Sequence, residues 1–141
     1  MYTLEDLQQQ NEEISALCDV LAVLVEHPEL RANVFLCELL TRFREKVWMH
    51  LVFEDNPIYS ELARHPDQAF SDVAKSFHDS AKATRKRFAH YIKHACEHAD
   101  SELNAEQYLS ESRAIIGLIR ERLAYETEQV FPLVHAHQQA G

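Results

Sequence analysis

Glycine, proline and cysteine are scarce in this chain, and each scarcity excludes a class of fold. The 141 residues include only two glycines and four prolines, which leaves little material for the tight turns of β-hairpins. The three cysteines are an odd number without CxxC spacing, so neither a disulfide framework nor a thiolate metal site is indicated. We therefore expect Cys18, Cys37 and Cys96 to be small core residues.

Positive charge and long apolar runs are scarce as well. The chain has 23 acidic and 14 basic side chains and a formal net charge of -9, which would repel a phosphate backbone, so no nucleic-acid partner is expected. The first residues lack the basic and apolar regions of a signal peptide, and no apolar run approaches the length of a membrane span. The sequence therefore predicts a cytoplasmic protein without a membrane partner.

Helix-favouring residues dominate what is present, and they predict an all-α fold. A chain of 141 residues, 46% of them hydrophobic, can form one domain over residues 1–141 with a sizeable core. Apolar spacing predicts four helices, over about 4–26, 31–63, 68–98 and 104–135. Short connections between long amphipathic helices predict an antiparallel, up-down-up-down four-helix bundle.

A histidine and a glutamate one helical turn apart, His50 and Glu54, interrupt an apolar helical face. The residues before them repeat at three- and four-residue spacing, which predicts that this face turns toward the core. These residues are Leu36, Leu39, Leu40, Phe43 and Val47. Because a buried carboxylate is costly without a positive partner, we expect a cation or a metal ion beside Glu54.

Three further polar residues lie on or beside the predicted core faces. Glu126 shares a face with apolar residues of the last helix, and Asn11 lies on the inward face of the first. His78 lies at the border of the apolar face of the third helix, next to Phe77. The similar intervals between these residues predict that they meet at one level of the bundle.

Three segments carry a resemblance to a known family. They are residues 50–55 (His-x3-Glu-Asp), residues 77–80 (Phe-His-Asp-Ser) and residues 126–133, which end in Val-Phe-Pro-Leu. In this order and spacing the chain resembles the hemerythrin-like, or HHE cation-binding, four-helix bundles from about Leu4 to Val134. The resemblance implies a non-haem iron site, and it implies the metal ligands His50, Glu54, His78 and Glu126.

Two positions depart from the family pattern. Asn11 and Arg122 stand where the resemblance implies histidine ligands, and a guanidinium has no lone pair to offer a metal. The resemblance therefore implies an incomplete di-iron site. We expect Arg122 to supply a fixed positive charge that neutralises Glu54 and Glu126.

These residues predict a non-enzymatic regulatory or protein-interaction module, with a protein as its partner and a second copy of the chain among the candidates. A first alternative is an iron-binding protein that senses or stores oxygen, nitric oxide or iron. A second alternative is histidine phosphotransfer, because residues 90–93 (His-Tyr-Ile-Lys) resemble the His-x-Leu-Lys run of phosphotransfer bundles, with His90 as the phosphoryl acceptor. No nucleophile, phosphate-binding loop or second acid/base pair indicates an enzyme.

Overall fold

The computed structural model describes residues 3–30, 33–52, 63–93 and 105–140, and every regular element in these ranges is helical. The all-α prediction is therefore confirmed. The elements are α1 (Leu4–Leu24), a 3-10 turn (Pro28–Leu30), α2 (Val34–Val52), α3 (Gln68–Ile92), α4 (Ala105–Tyr125), a π-helical turn (Glu126–Val130) and α5 (Phe131–Ala140). Within these ranges no helix has the length and apolar character that crossing a membrane requires.

Local side-chain chemistry sets the helix starts. Thr3 and Asp6 form a reciprocal capping box in which Thr3 Oγ1 accepts from the Asp6 amide and Asp6 Oδ2 accepts from the Thr3 amide. The Asp67 carboxylate caps α3 by accepting from the Ala69 amide. Helix α1 starts where the sequence predicts and ends two residues early. The predicted helical residues 31–32, 53–62 and 94–98 lie outside the described ranges.

The last helix continues past Pro132, as predicted, but it reaches Ala140 rather than about residue 135. The proline ring lacks an N–H and crowds the carbonyl four residues earlier, so it normally interrupts an α-helix. Here the helix widens into a π turn just before the proline, and the Phe131 amide donates to the Glu126 carbonyl five residues back. A wide turn of this kind is a known accommodation that lets a helix continue.

The four long helices contact each other in ring order: α1 with α2, α2 with α3, α3 with α4 and α4 with α1. This arrangement fits a four-helix bundle.

Cys18 is fully buried, as predicted, and burial raises the pKa of its thiol to about 11, which leaves the thiol unreactive at neutral pH. Cys37 is only half-buried, so the prediction that it is a core residue is wrong, and Cys96 lies outside the described residues.

The core consists of two apolar clusters. One cluster includes Ile14 and Leu123 and fills most of the bundle. The other includes Leu7 and Val130 and lies near the start of α1 and the end of the chain. Along α1 and along the last helix, a buried polar residue falls between the members of the two clusters, so a polar layer separates them.

Candidate functional site

Glu126 is the most deeply buried charged side chain among the described residues, with only 1% of its surface exposed. It is the first residue of the π turn. Its Oε1 atom contacts Nε2 of His50 from α2 and accepts a hydrogen bond from Asn11 Nδ2 of α1, 3.1 Å away. Three helices thus meet at one carboxylate oxygen. The prediction that Asn11, His50 and Glu126 share one inward level is confirmed for these three residues.

The His50 ring is held from both sides. Its Nδ1 lies 3.0 Å from Oε1 of Gln10, and an amide oxygen there requires that Nδ1 carry a proton. Its Nε2 contacts the Glu126 carboxylate, so the acidic group and a basic partner are buried together. Burial of the pair therefore avoids the cost of an isolated charge.

Asn11 holds the same carboxylate oxygen from α1. Its Nδ2 also donates to the Leu123 carbonyl, 3.3 Å away, which belongs to the last turn of α4. That carbonyl also accepts from Thr127 Oγ1 at 3.0 Å. The amide therefore links α1 both to the side chain of Glu126 and to the backbone at the start of the π turn.

Gln10 is a member of this network that the sequence did not predict. It precedes Asn11 and lies one position off the apolar face of α1, where periodicity alone predicts a half-exposed residue. Its long side chain reaches His50 across the seam between α1 and α2. The sequence offered one indication of this contact. A polar residue next to an inward-facing asparagine lies near the facing helix, where it can hydrogen-bond a histidine.

The remaining predicted ligands do not join this layer within the described residues. His78 has an exposed side chain, so the expectation that it faces inward is wrong. One residue is a rotation of about 100° on a helix, and the neighbouring Phe77 takes the inward position instead. Glu54 lies outside the described residues, so its role as a metal ligand stays a prediction.

Arg122 lies half-buried on the seam between α3 and α4. Its guanidinium donates to the Phe77 carbonyl at 3.0 Å and to Ser80 Oγ at 2.6 Å, and its central carbon lies 3.9 Å from the centre of the Phe77 ring. Arg122 also lines a groove of about 350 Å³ together with Tyr125. These contacts tie Arg122 to α3. No ion pair joins it to Glu126 among the described residues, so that half of the prediction is wrong. The predicted pairing with Glu54 falls outside the described residues.

The donor set can be compared with what iron requires. An imidazole nitrogen and a carboxylate oxygen are suitable ligands, and His50 and Glu126 bring one of each together. Within the described ranges no group of three or more histidine, cysteine, aspartate or glutamate side chains is arranged so that it could hold a metal ion. The described residues therefore supply two ligands, fewer than an iron centre needs, and any further ligand must come from elsewhere, such as Glu54.

The histidine proposed for phosphotransfer has an accessible side chain. His90 is exposed near the end of α3, and the exposed Lys93 follows as its C-cap residue. His94 and His98 lie outside the described residues. Phosphotransfer stays a prediction, which incubation with a phosphorylated receiver domain tests.

Comparison of the chain with protein-family models, with curated proteins and with solved structures finds no match. The resemblance to hemerythrin-like bundles therefore rests on the residues of this chain alone.

Proposed function

We propose that this chain is a hemerythrin-like, antiparallel up-down-up-down bundle in which a hydrogen-bonded polar network replaces a complete di-iron centre. In this proposal the bundle acts as a non-enzymatic regulatory or protein-interaction module. The carrying observation is the environment of Glu126: the residue that the resemblance names as a ligand is buried, and His50 and Asn11 already bind its carboxylate oxygen.

The contacts between helices support the antiparallel order. Gln10 near the start of α1 contacts His50 near the end of α2, and Glu26 just past the end of α1 pairs with Arg113 in the first half of α4. Late residues of α3 likewise meet early residues of α4, since Tyr91 and Ser112 share a hydrogen bond of 2.8 Å. Each pair joins the late part of one helix to the early part of its neighbour.

Asn11 supports the replacement of a metal by a network. At a position where the resemblance implies a metal ligand, the side chain presents an N–H donor to Glu126. A hydrogen-bond donor stabilises the buried carboxylate, as a positive partner would. An amide nitrogen cannot ligate a metal while it donates. The network thus performs the stabilising role of a cation without one.

Iron binding is the second candidate, and one observation favours it. Histidines that bind metals commonly donate their other ring N–H to an oxygen acceptor, and His50 Nδ1 faces the Gln10 oxygen. In this alternative Nε2 of His50 and the carboxylate of Glu126 hold the metal, with Glu54 as a third ligand from outside the described residues. The bound iron would supply a position for oxygen or nitric oxide.

Metal content and thermal stability separate the two functions. We expect purified protein, loaded anaerobically with ferrous iron and then desalted, to retain less than one iron per chain, and its melting temperature to be unchanged by a chelator. Stable retention of two irons per chain, with charge-transfer bands of a bridged ferric pair, would refute the proposal.

A gain-of-ligand variant sharpens the test. Asn11→His places a second imidazole beside Glu126 and His50, which gives three ligand side chains at one point. We expect this variant, and more so Asn11→His with Arg122→His, to bind iron or cobalt more tightly than the wild type. Asn11→Leu is the matched control because it removes the same donor without adding a ligand. Equal metal binding by the histidine and leucine variants would contradict the proposed geometry.

A further inference from the structure

The outer face of α2 carries an unusual amount of exposed apolar surface. Seven large hydrophobic side chains are exposed in the described residues, and four of them belong to this one helix. Val34 and Phe35, at its start, are 68% and 74% exposed, and Trp48 and Met49, near its end, are 43% and 52% exposed. Because isolated exposed apolar residues are ordinary but clusters mark interaction sites, this face needs an explanation.

Helical geometry places Val34 and Trp48 on one stripe, with Phe35 and Met49 to one side of it. Val34, Glu38, Thr41, Glu45 and Trp48 recur at three- and four-residue intervals, so they share a face. The core residues Leu36, Leu40, Phe43 and Val47 occupy the opposite side of the same helix. The stripe therefore points away from the bundle, and from the buried network around Glu126.

Two shallow depressions lie along this stripe and adjoin near its middle. One, of about 480 Å³, has Val34 and Cys37 in its wall, and the other, of about 450 Å³, has Trp48 and Met49. Thr41 and Glu45 line both depressions. The stripe is thus apolar at both ends, and the polar residues Thr41 and Glu45 lie near its middle.

Charge identifies the occupant. The whole chain carries a formal net charge of -9, so most contacts between two copies place negative surface against negative surface. The charged side chains that line the two depressions are two glutamates and two arginines: Glu38, Arg42, Arg44 and Glu45. The lining is thus neutral, with Glu38 three residues before Thr41 and Arg44 three residues after it. Two copies that meet at Thr41 in opposite directions therefore bring each Glu38 toward an Arg44 of the other copy.

We propose that the outer face of α2 binds the same face of a second copy, with the two helices antiparallel and crossing at Thr41. Residues equally far from Thr41 then meet across a two-fold axis. Val34, seven residues before Thr41, faces Trp48, seven residues after it, in the other copy. Each indole covers the depression beside Val34 of its partner copy, in the manner of knobs and holes.

The expected affinity follows from the size of the contact. One helix against one helix buries less than the ~1,600 Å² of a standard interface. The dimer should therefore be weak, with a dissociation constant on the order of 10 μM. It stands independently of the function proposed above, because its residues lie on the opposite side of α2 from His50.

Sedimentation velocity of the full chain, from about 1 to about 300 μM, tests the association. We expect a monomer that becomes a dimer as concentration rises, and we expect Val34→Glu to raise the dissociation constant at least about tenfold by placing a charge against Trp48. The matched control is Val23→Glu, which changes an exposed valine of α1 (63% exposed) and should leave the dimer intact. A wild-type chain that stays monomeric, or equal weakening by both variants, overturns the proposal.

Cross-linking tests the antiparallel register. In a chain with Cys37 and Cys96 replaced by serine, Thr41→Cys lies on the two-fold axis and should form a disulfide-linked dimer on mild oxidation. Glu45→Cys should not, because four residues from the axis separate the two thiols by about 12 Å along the helices. Efficient cross-linking through residue 45 would indicate parallel helices or a crossing point away from Thr41, and either result overturns the proposed pairing. Circular dichroism melts verify that every variant is folded.

Discussion

The carboxylate of Glu126 has almost no contact with water, so its hydrogen bonds come from the residues that touch it. His50 and Asn11 reach the same oxygen from two different helices. Removing any one of the three leaves the others buried with an unmet hydrogen bond or charge, which costs more than the intact interaction gains. The layer therefore behaves as a unit, and its members should be energetically coupled.

A double-mutant cycle measures that coupling. Glu126→Leu and His50→Leu should each lower the free energy of unfolding by about 3 kcal/mol, because each leaves a buried polar partner unsatisfied. The double variant should lose clearly less than the sum, with a coupling of about 2 kcal/mol. Urea unfolding followed by circular dichroism gives these values. The exposed pair of Glu13 and Lys46 is the control, since Glu13→Ala should cost under about 1 kcal/mol. Additive losses at Glu126 and His50 would contradict the network.

At the scale of single helices, α4 contains a glycine with room beside it. Gly117 lies inside α4, and a Cβ atom added there would meet no heavy atom within 4 Å. Its backbone has no positive φ, so nothing in its conformation requires glycine. Glycine in a helix interior is less favourable than alanine because the unfolded chain loses more conformational freedom on folding.

Gly117→Ala should therefore raise the free energy of unfolding by about 0.5 to 1 kcal/mol. Ala114→Gly on the same helix is exposed and provides the reverse control, with a loss of similar size. Chemical denaturation of the two variants beside the wild type is sufficient. A destabilised Gly117→Ala variant would indicate that something approaches the backbone closely at this position.

The sequence predicted the helices well because burial on a helix repeats with a short local period. The apolar faces of α1 and α4, and the inward positions of Asn11, His50 and Glu126, follow from that period alone. Prediction from this period fails where two neighbouring residues could each take the inward position, as His78 and Phe77 could. Contacts across a seam, such as Arg122 with Phe77 or Gln10 with His50, depend on side-chain reach between helices, which no spacing within one helix reveals.

For the whole molecule, exposed ion pairs connect α1 to both of its neighbours. Glu13 pairs with Lys46 of α2, and Glu26 pairs bidentately with Arg113 of α4. The hydrogen bond from Lys46 lowers the pKa of Glu13, and the hydrogen bond from Arg113 lowers the pKa of Glu26. A carboxylate with a lowered pKa in the folded state stabilises the fold above its unfolded-state pKa.

This stabilisation should be present at neutral pH and be lost below the ordinary carboxyl pKa of 4.5, as the pH falls through the lowered values. Both carboxylates are well exposed, so the effect should be small and should shrink in high salt. Glu13→Gln with Glu26→Gln should lower the melting temperature at pH 7 and leave it unchanged at pH 2. Melting curves across this range provide the measurement, and an equal shift at both pH values would rule out the ion pairs as its source.

The π turn has a consequence for the phase of the last helix. Its buried residues Glu126, Val130 and Val134 are spaced four apart, and in a regular α-helix each step of four rotates about 40° beyond a full turn. Two such steps would carry Val134 well away from the line of Ile119. One wide turn takes up part of this rotation, so Val134 lies closer to the line of Ile119 than a regular helix would place it. The backbone irregularity that carries the buried carboxylate is therefore also a phase correction for the second apolar cluster.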